Sequence, residues 1–157
     1  MRVIKPPHPI SKAGANIRTV FLAGSIEMGV AEDWQTTVEN YFKYYAKEVV
    51  ILNPRRDAWD SSWTQEITSP QFYQQVNWEL NALEKADLII MYFSPGTQSP
   101  ISLLEFGKFA ESGKMLVCCP TGFWRKGNVD IVCERYGIPN YSTLDELLED
   151  IRNKDLI

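Results

Sequence analysis

Asp87-Leu88-Ile89-Ile90-Met91-Tyr92-Phe93 is apolar at every position after its first, and Ser94-Pro95-Gly96-Thr97-Gln98-Ser99-Pro100 follows it directly. A strand with one wet face alternates apolar and polar residues. A run without alternation fits a strand covered by helices on both faces, as parallel sheets are. The run is also far too short to cross a bilayer. Ser99-Pro100 then reads as a helix start, a capping hydroxyl followed by Pro at the first helical position, with the helix continuing through Phe109 to about Gly113. Upstream, Ser69-Pro70 repeats that start, and Phe72, Val76, Leu80 and Leu83 mark one face of a helix ending near Lys85.

The same alternation extends in both directions. Thr19 to Ala23 is a short apolar run ending in Gly24-Ser25. A helical period from Ala31 places Trp34, Val38, Tyr41, Phe42 and Tyr45 on one face, and Val49 to Leu52 is a further strand closed by Asn53-Pro54. Arg55 to Thr68 has no clean period and is longer than a connection requires, as functional loops often are. Toward the C-terminus come a strand at Met115 to Cys119, a helix from Asn128 to Tyr136 stopped by Gly137, and a short strand between Ile138 and Tyr141. A last helix opens on the capping-box pattern Thr143-Leu144-Asp145-Glu146. Residues 1–17, rich in Pro, Gly and Lys, read as an irregular N-terminal arm. Strands alternating with helices predict a single α/β domain over residues 1–157, an open parallel sheet of five strands in the flavodoxin-like order 2-1-3-4-5 with helices on both faces.

Composition narrows the chemistry. The 157 residues carry 16 Lys plus Arg against 20 Asp plus Glu, a formal charge of -4, which disfavours nucleic acid or an anionic membrane as partner and favours a small molecule. The one histidine, His8, stands in Lys5-Pro6-Pro7-His8-Pro9, so His-based triads and His-ligated zinc are improbable. Cys118, Cys119 and Cys133 form neither a CxxC pair nor a disulfide framework, and read as reduced, buried thiols of a cytoplasmic protein.

In open α/β sheets ligands bind beyond the carboxyl ends of the strands, where the winding direction reverses. The order 2-1-3-4-5 brings together the loop Gly24-Ser25-Ile26-Glu27-Met28-Gly29 and the loop Ser94 to Pro100. The first offers glycines and a hydroxyl to an oxygen-rich ligand without a GxGxxG or P-loop spacing; Gly24 as a turn glycine and Ser99 as a simple cap fit equally well. Glu105 lies about a turn and a half inside the following helix, with Ile101 at i−4 and Phe109 at i+4. Glu79 on the preceding helix sits between Val76 and Leu83. A carboxylate among apolar neighbours is costly unless it is paired or working, though a solvated glutamate explains either one alone. Two carboxylates without a histidine suit chemistry at an anomeric carbon, where a carboxylate ionised at neutral pH attacks without a partner base.

Phe21-Leu22-Ala23-Gly24-Ser25-Ile26, Ala86-Asp87-Leu88-Ile89-Ile90 and Ser99-Pro100-Ile101-Ser102-Leu103-Leu104-Glu105-Phe106-Gly107 together resemble the nucleoside 2-deoxyribosyltransferase family over residues 19 to about 119. Asn53-Pro54-Arg55-Arg56 and Gly122-Phe123-Trp124-Arg125 resemble a bacterial-type branch of it. The resemblance implies that Glu105 is the nucleophile and that Glu79, standing where the family has Asp, orients it and contacts the sugar. It places Ser99 at the sugar's 5′ side. Gly24 and Ser25 would then shape the crevice, with Asn53, Trp59 and Asp60 flanking the base. The implied reaction is base exchange through a glycosyl-glutamate with retention, on a nucleoside and a free nucleobase, with no metal or organic cofactor. Glu27, where the family's phosphohydrolase branch has Arg, favours free nucleosides over 5′-phosphates. The resemblance also implies a homodimer or larger homo-oligomer, with Phe123 to Asn128 reaching across the boundary and Asn128 among the substrate-binding residues. A nucleoside or nucleotide N-hydrolase and a silent nucleotide sensor are the alternatives.

Overall fold

The computed structural model describes residues 1–11, 14, 17–26, 31–46, 48–60 and 62–157. The chain order is β1 (Arg2–Ile4), β2 (Arg18–Gly24), α1 (Trp34–Tyr45), β3 (Val49–Leu52), α2 (Pro70–Lys85), β4 (Leu88–Tyr92), α3 (Pro100–Phe109), β5 (Met115–Cys118), α4 (Lys126–Tyr136), β6 (Asn140–Tyr141) and α5 (Leu144–Asn153). A 3-10 turn, Ala110–Ser112, follows α3. All pairings among the six strands are parallel, in the order β1-β3-β2-β4-β5-β6. This is the flavodoxin-like class with one strand more than the five expected. The addition is β1, so residues 1–17 are not wholly an irregular arm. Arg2 pairs with Val50 and Ile4 with Leu52, extending the sheet beyond β3. Three residues are too few to display a period, and their pairing with β3 is non-local, so local sequence carries no sign of it.

Period-two alternation in β2 and β4 divides the core into two layers. Phe21, Ala23, Ile89 and Met91 face Trp78 and Leu83 of α2, Phe106 and Phe109 of α3, and Val129 and Cys133 of α4. Val20, Leu22, Ile90 and Tyr92 face Trp34, Val38 and Phe42 of α1 and Leu147, Leu148 and Ile151 of α5. The two covered faces explain why β4 is buried at every residue.

The helix ends follow capping chemistry in part. The α5 capping box forms as expected, with Thr143 and Glu146 bonding each other's backbone. Gly137 stops α4 in the left-handed conformation at φ 64°. Lys114 Nζ donates to the carbonyls of Leu83, Glu84 and Ala86 at 2.8–3.0 Å, closing the C-terminus of α2. Ser69 and Ser99 precede α2 and α3 as expected, but neither side chain caps its helix. Among the described residues no helix is long and apolar enough to cross a membrane.

Candidate active site at the carboxyl end of the sheet

The loops after β2 and β4 meet through backbone first. Gly24 ends β2 at φ 135°, and a Cβ there would stand 2.1 Å from the Tyr92 carbonyl oxygen of β4, so only glycine lets the two strands run this close. Ser25 N–H then donates to that same carbonyl at 2.9 Å. The glycine is thus explained by strand packing. Ser25 is 1% exposed, and its Oγ accepts the Ser94 N–H at 2.9 Å. It also lies 2.6 Å from Ser99 Oγ and 3.0 Å from Thr97 Oγ1. Thr97 and Ser99 are 2.9 Å apart, and Thr97 donates to the Ser94 carbonyl at 2.8 Å. Three buried hydroxyls therefore lock the two loops together. Trp34 of α1 adds a bond from its indole Nε1 to the Ser25 carbonyl at 3.0 Å.

Ser99 departs from the reading as a cap. Its backbone is left-handed at φ 45°, rare for a residue with a Cβ, and its hydroxyl points into the Ser25–Thr97 cluster. The hydroxyl network holds the chain in this conformation and so sets where α3 begins.

Glu105, on α3, is 7% exposed. Its carboxyl is pushed up to about 8, chiefly by burial and further by the charge of Glu79. Glu79, on α2, is raised to about 7 by burial, against the bond it accepts from Gln75 Nε2 at 2.8 Å. The two expected carboxylates are therefore within electrostatic reach of each other. Burial favours the neutral form of Glu105. One reading is corrected. Ile101, its i−4 neighbour, is 62% exposed rather than on the buried face. With large apolar side chains on both faces of α3, spacing alone does not separate inside from outside.

Gln75 ties this pair to the loop after β3, since the Nε2 that bonds Glu79 also donates to the Pro54 carbonyl at 3.0 Å. Asn53 is buried, and its Oδ1 accepts Arg55 N–H while its Nδ2 donates to Glu39. It serves the loop's own geometry. Arg55 is spent on Gln35, Ala31 and Glu32 at 3.0–3.2 Å. Trp59 is half-buried and packs on Trp63, ring centroids 5.1 Å apart and planes inclined at 60°. Asp60 is exposed, and bonds from the Ser62 side chain and then the Ser62 N–H hold its carboxyl below the ordinary range. Asn128 is exposed in the first turn of α4. Residues 27–30, Glu27 among them, lie outside the described residues. The thiols of Cys118, Cys119 and Cys133 are buried and raised to about 12, 11 and 12 by burial, so none is a nucleophile. Among the described residues no three His, Cys, Asp or Glu side chains group as metal ligands.

Residues 17–123, most of the chain and all of the crevice, match the family model described as nucleoside 2-deoxyribosyltransferase like. The chain belongs to the nucleoside 2-deoxyribosyltransferase-like family. No curated protein sequence matches it. Among solved structures, a conserved protein from Enterococcus faecalis V583 superposes with a TM-score of 0.63 at 12% identity, over 88% of this chain and 99% of that one, a likeness of fold. In this nucleoside 2-deoxyribosyltransferase-like chain, spacing did not point to Thr97 or Gln75, which bond Ser25 and Glu79. Gln75 carried a usable signal, since i−4 from Glu79 on one helix is hydrogen-bonding distance. Thr97 lies in a loop, where no period points at a partner.

Proposed function

We propose that the protein exchanges the nucleobase of a 2′-deoxynucleoside through a covalent intermediate on Glu105, with retention. The observation that carries this reading is the placement of Glu105: buried on the helix after β4, beyond the switch point of the sheet, and sensing the charge of Glu79. An Oε of Glu105 bonds to C1′ while the C1′–N bond breaks, its electron pair leaving with the base, which takes a proton. A second base then attacks C1′ through a ring nitrogen and gives up that nitrogen's proton to solvent, Glu105 departs as a carboxylate, and two inversions give net retention.

Burial holds both carboxyls well above the ordinary carboxylate range, Glu79 at about 7 and Glu105 at about 8, so the attacking form depends on what favours charge on Glu105. Positive charge developing on the sugar favours the ionised Glu105. In this reading Gly24, Ser25 and Ser99 fix the crevice's shape, and the partners are a nucleoside and a free base. A homo-oligomer belongs to the same reading. Ile101, Leu104 and Trp124, exposed at 62, 62 and 53%, support it as apolar surface near the start of α3.

The test is intact-mass measurement after incubation with a 2′-fluorinated nucleoside, which slows breakdown of the intermediate. A glycosyl adduct on Glu105 is expected, and an adduct on any other residue overturns the mechanism. Product analysis with and without added base then separates exchange from hydrolysis.

A further inference from the structure

The loop between β3 and α2 contains two shielded donors that bond nothing, Arg56 Nε and Trp59 Nε1. Native proteins rarely leave buried N–H groups unpaired, and a site that meets its ligand with them is one explanation. Their surroundings are ordered. Arg56 Nη1 donates to Gln74 of α2 at 3.2 Å, and the guanidinium lies 4.9 Å from the ring centroid of Trp63. Trp63 in turn packs on Trp59. Among the described residues Arg56 has no carboxylate partner. The next residue of α2, Gln75, keeps an unpaired buried acceptor, Oε1, while its Nε2 bonds Glu79 and Pro54. Spare donors beside two indoles inclined at 60° thus lie on a loop tied to Gln74, and a spare acceptor lies on the next residue of α2, one helical turn from Glu79.

From this arrangement we infer that Arg56, Trp59 and Gln75 form the leaving-group end of the crevice and recognise the lactam edge of an oxo-nucleobase. The inference rests on the base-exchange reading above and names its substrate class. A lactam edge presents a carbonyl oxygen to Arg56 Nε–H and Trp59 Nε1–H, and an adjacent ring N–H to Gln75 Oε1. An adenine edge presents the reverse, an amino donor beside a ring acceptor, and leaves the site's groups unmet. The two indoles, inclined at 60° to each other, and the guanidinium over Trp63 offer the base an aromatic surface to pack on. As the C1′–N bond breaks, negative charge grows on the base and Arg56 stabilises it. Arg56, Trp59 and Trp63 are partly exposed while the two nitrogens are covered, so presenting the N–H groups to a base requires a side-chain rotation.

The test uses Trp59→Phe, which removes one N–H and keeps a ring, and Arg56→Lys, which keeps the charge and removes the Nε–H donor. For each variant kcat/KM on 2′-deoxyinosine and 2′-deoxyuridine is expected to fall about tenfold, against less than about twofold on 2′-deoxyadenosine. In the wild-type protein the Trp59 indole N–H resonance, assigned by its loss in Trp59→Phe, is expected to move with hypoxanthine or uracil and to stay in place with adenine or inorganic phosphate. Equal losses on all three nucleosides, a wild-type preference for 2′-deoxyadenosine, or a resonance that responds only to phosphate overturns the inference. If wild type exchanges bases and both variants match it, the inference falls and the base-exchange reading stands. If the resonance responds to oxo-bases but wild type exchanges none, base recognition stands and the transferase reading falls.

Discussion

The two walls of the crevice satisfy their polar groups in opposite ways. On the α3 side, Ser25, Thr97 and Ser99 bond one another and the Ser94 backbone within 2.6–3.0 Å, all of them buried. On the β3–α2 side, Arg56, Trp59 and Gln75 each keep a shielded atom with no partner. The first wall is finished before a ligand arrives and holds a left-handed Ser99 in place, so it fixes the start of the helix that carries Glu105. The second retains capacity that a ligand can meet. One wall is closed on itself, and the other keeps unmet polar atoms.

The largest expected effect tests whether the finished wall delivers a nucleophile. Glu105→Gln should lower kcat by at least about 10⁴-fold in a base-exchange assay, since losing a nucleophile typically costs that much or more. The same variant alters stability in a definite direction. Glu105 is raised in the folded protein from 4.5 to about 8, so its contribution is fully present below pH 4.5 and is lost as pH rises toward 8. Wild-type Tm should fall over that window, and the fall should be shallower in Glu105→Gln.

Gly24→Ala comes next. The added Cβ meets the Tyr92 carbonyl oxygen at 2.1 Å at a φ of 135°, and backbone on both sides has nowhere to go. A loss of more than about 3 kcal/mol is expected by chemical denaturation. Glu79→Gln is gentler and concerns pH. Wild-type kcat/KM should rise through about pH 8 as Glu105 ionises. Removing the charge of Glu79 should move that limb to lower pH without restoring an ordinary carboxylate, because burial is the larger cause. An unmoved limb would mean that the two carboxyls do not sense each other.

Much of this arrangement is legible in the sequence. β3 was read over its observed residues and β4 to within one at each end, because apolar runs under two helical layers carry a strong signal. The sheet order, read from the alternation, put the right two loops together. What stayed hidden has physical reasons. β1 is three residues joined by a distant partner. Ser99 sits where caps sit, and only the left-handed backbone reveals that its hydroxyl turns inward. Ile101 and Glu105 are four residues apart yet on opposite sides of burial, since neither face of α3 is polar enough to declare itself. The raised carboxyls depend on burial, which a linear pattern does not measure.

The two smallest effects set the walls directly against each other. Ser25→Ala removes an oxygen that accepts the Ser94 N–H and lies 2.6 and 3.0 Å from two other hydroxyls, leaving buried groups without a partner. It should cost about 1–3 kcal/mol in the ligand-free protein. Trp59→Phe removes a donor that bonds nothing, and the ring continues to pack on Trp63. The ligand-free protein should then lose less than about 0.5 kcal/mol, or gain slightly, because the deleted N–H was shielded and unpaired. The pair reverses where ligand matters. An oxo-base should raise the wild-type Tm, and it should do so less for Trp59→Phe, since the stabilisation a ligand confers grows as RT ln(1 + [L]/Kd) and falls with weaker binding. Equal destabilisation of the ligand-free protein by both substitutions would show that Trp59 Nε1 is bonded in solution, and the contrast between the walls would be lost.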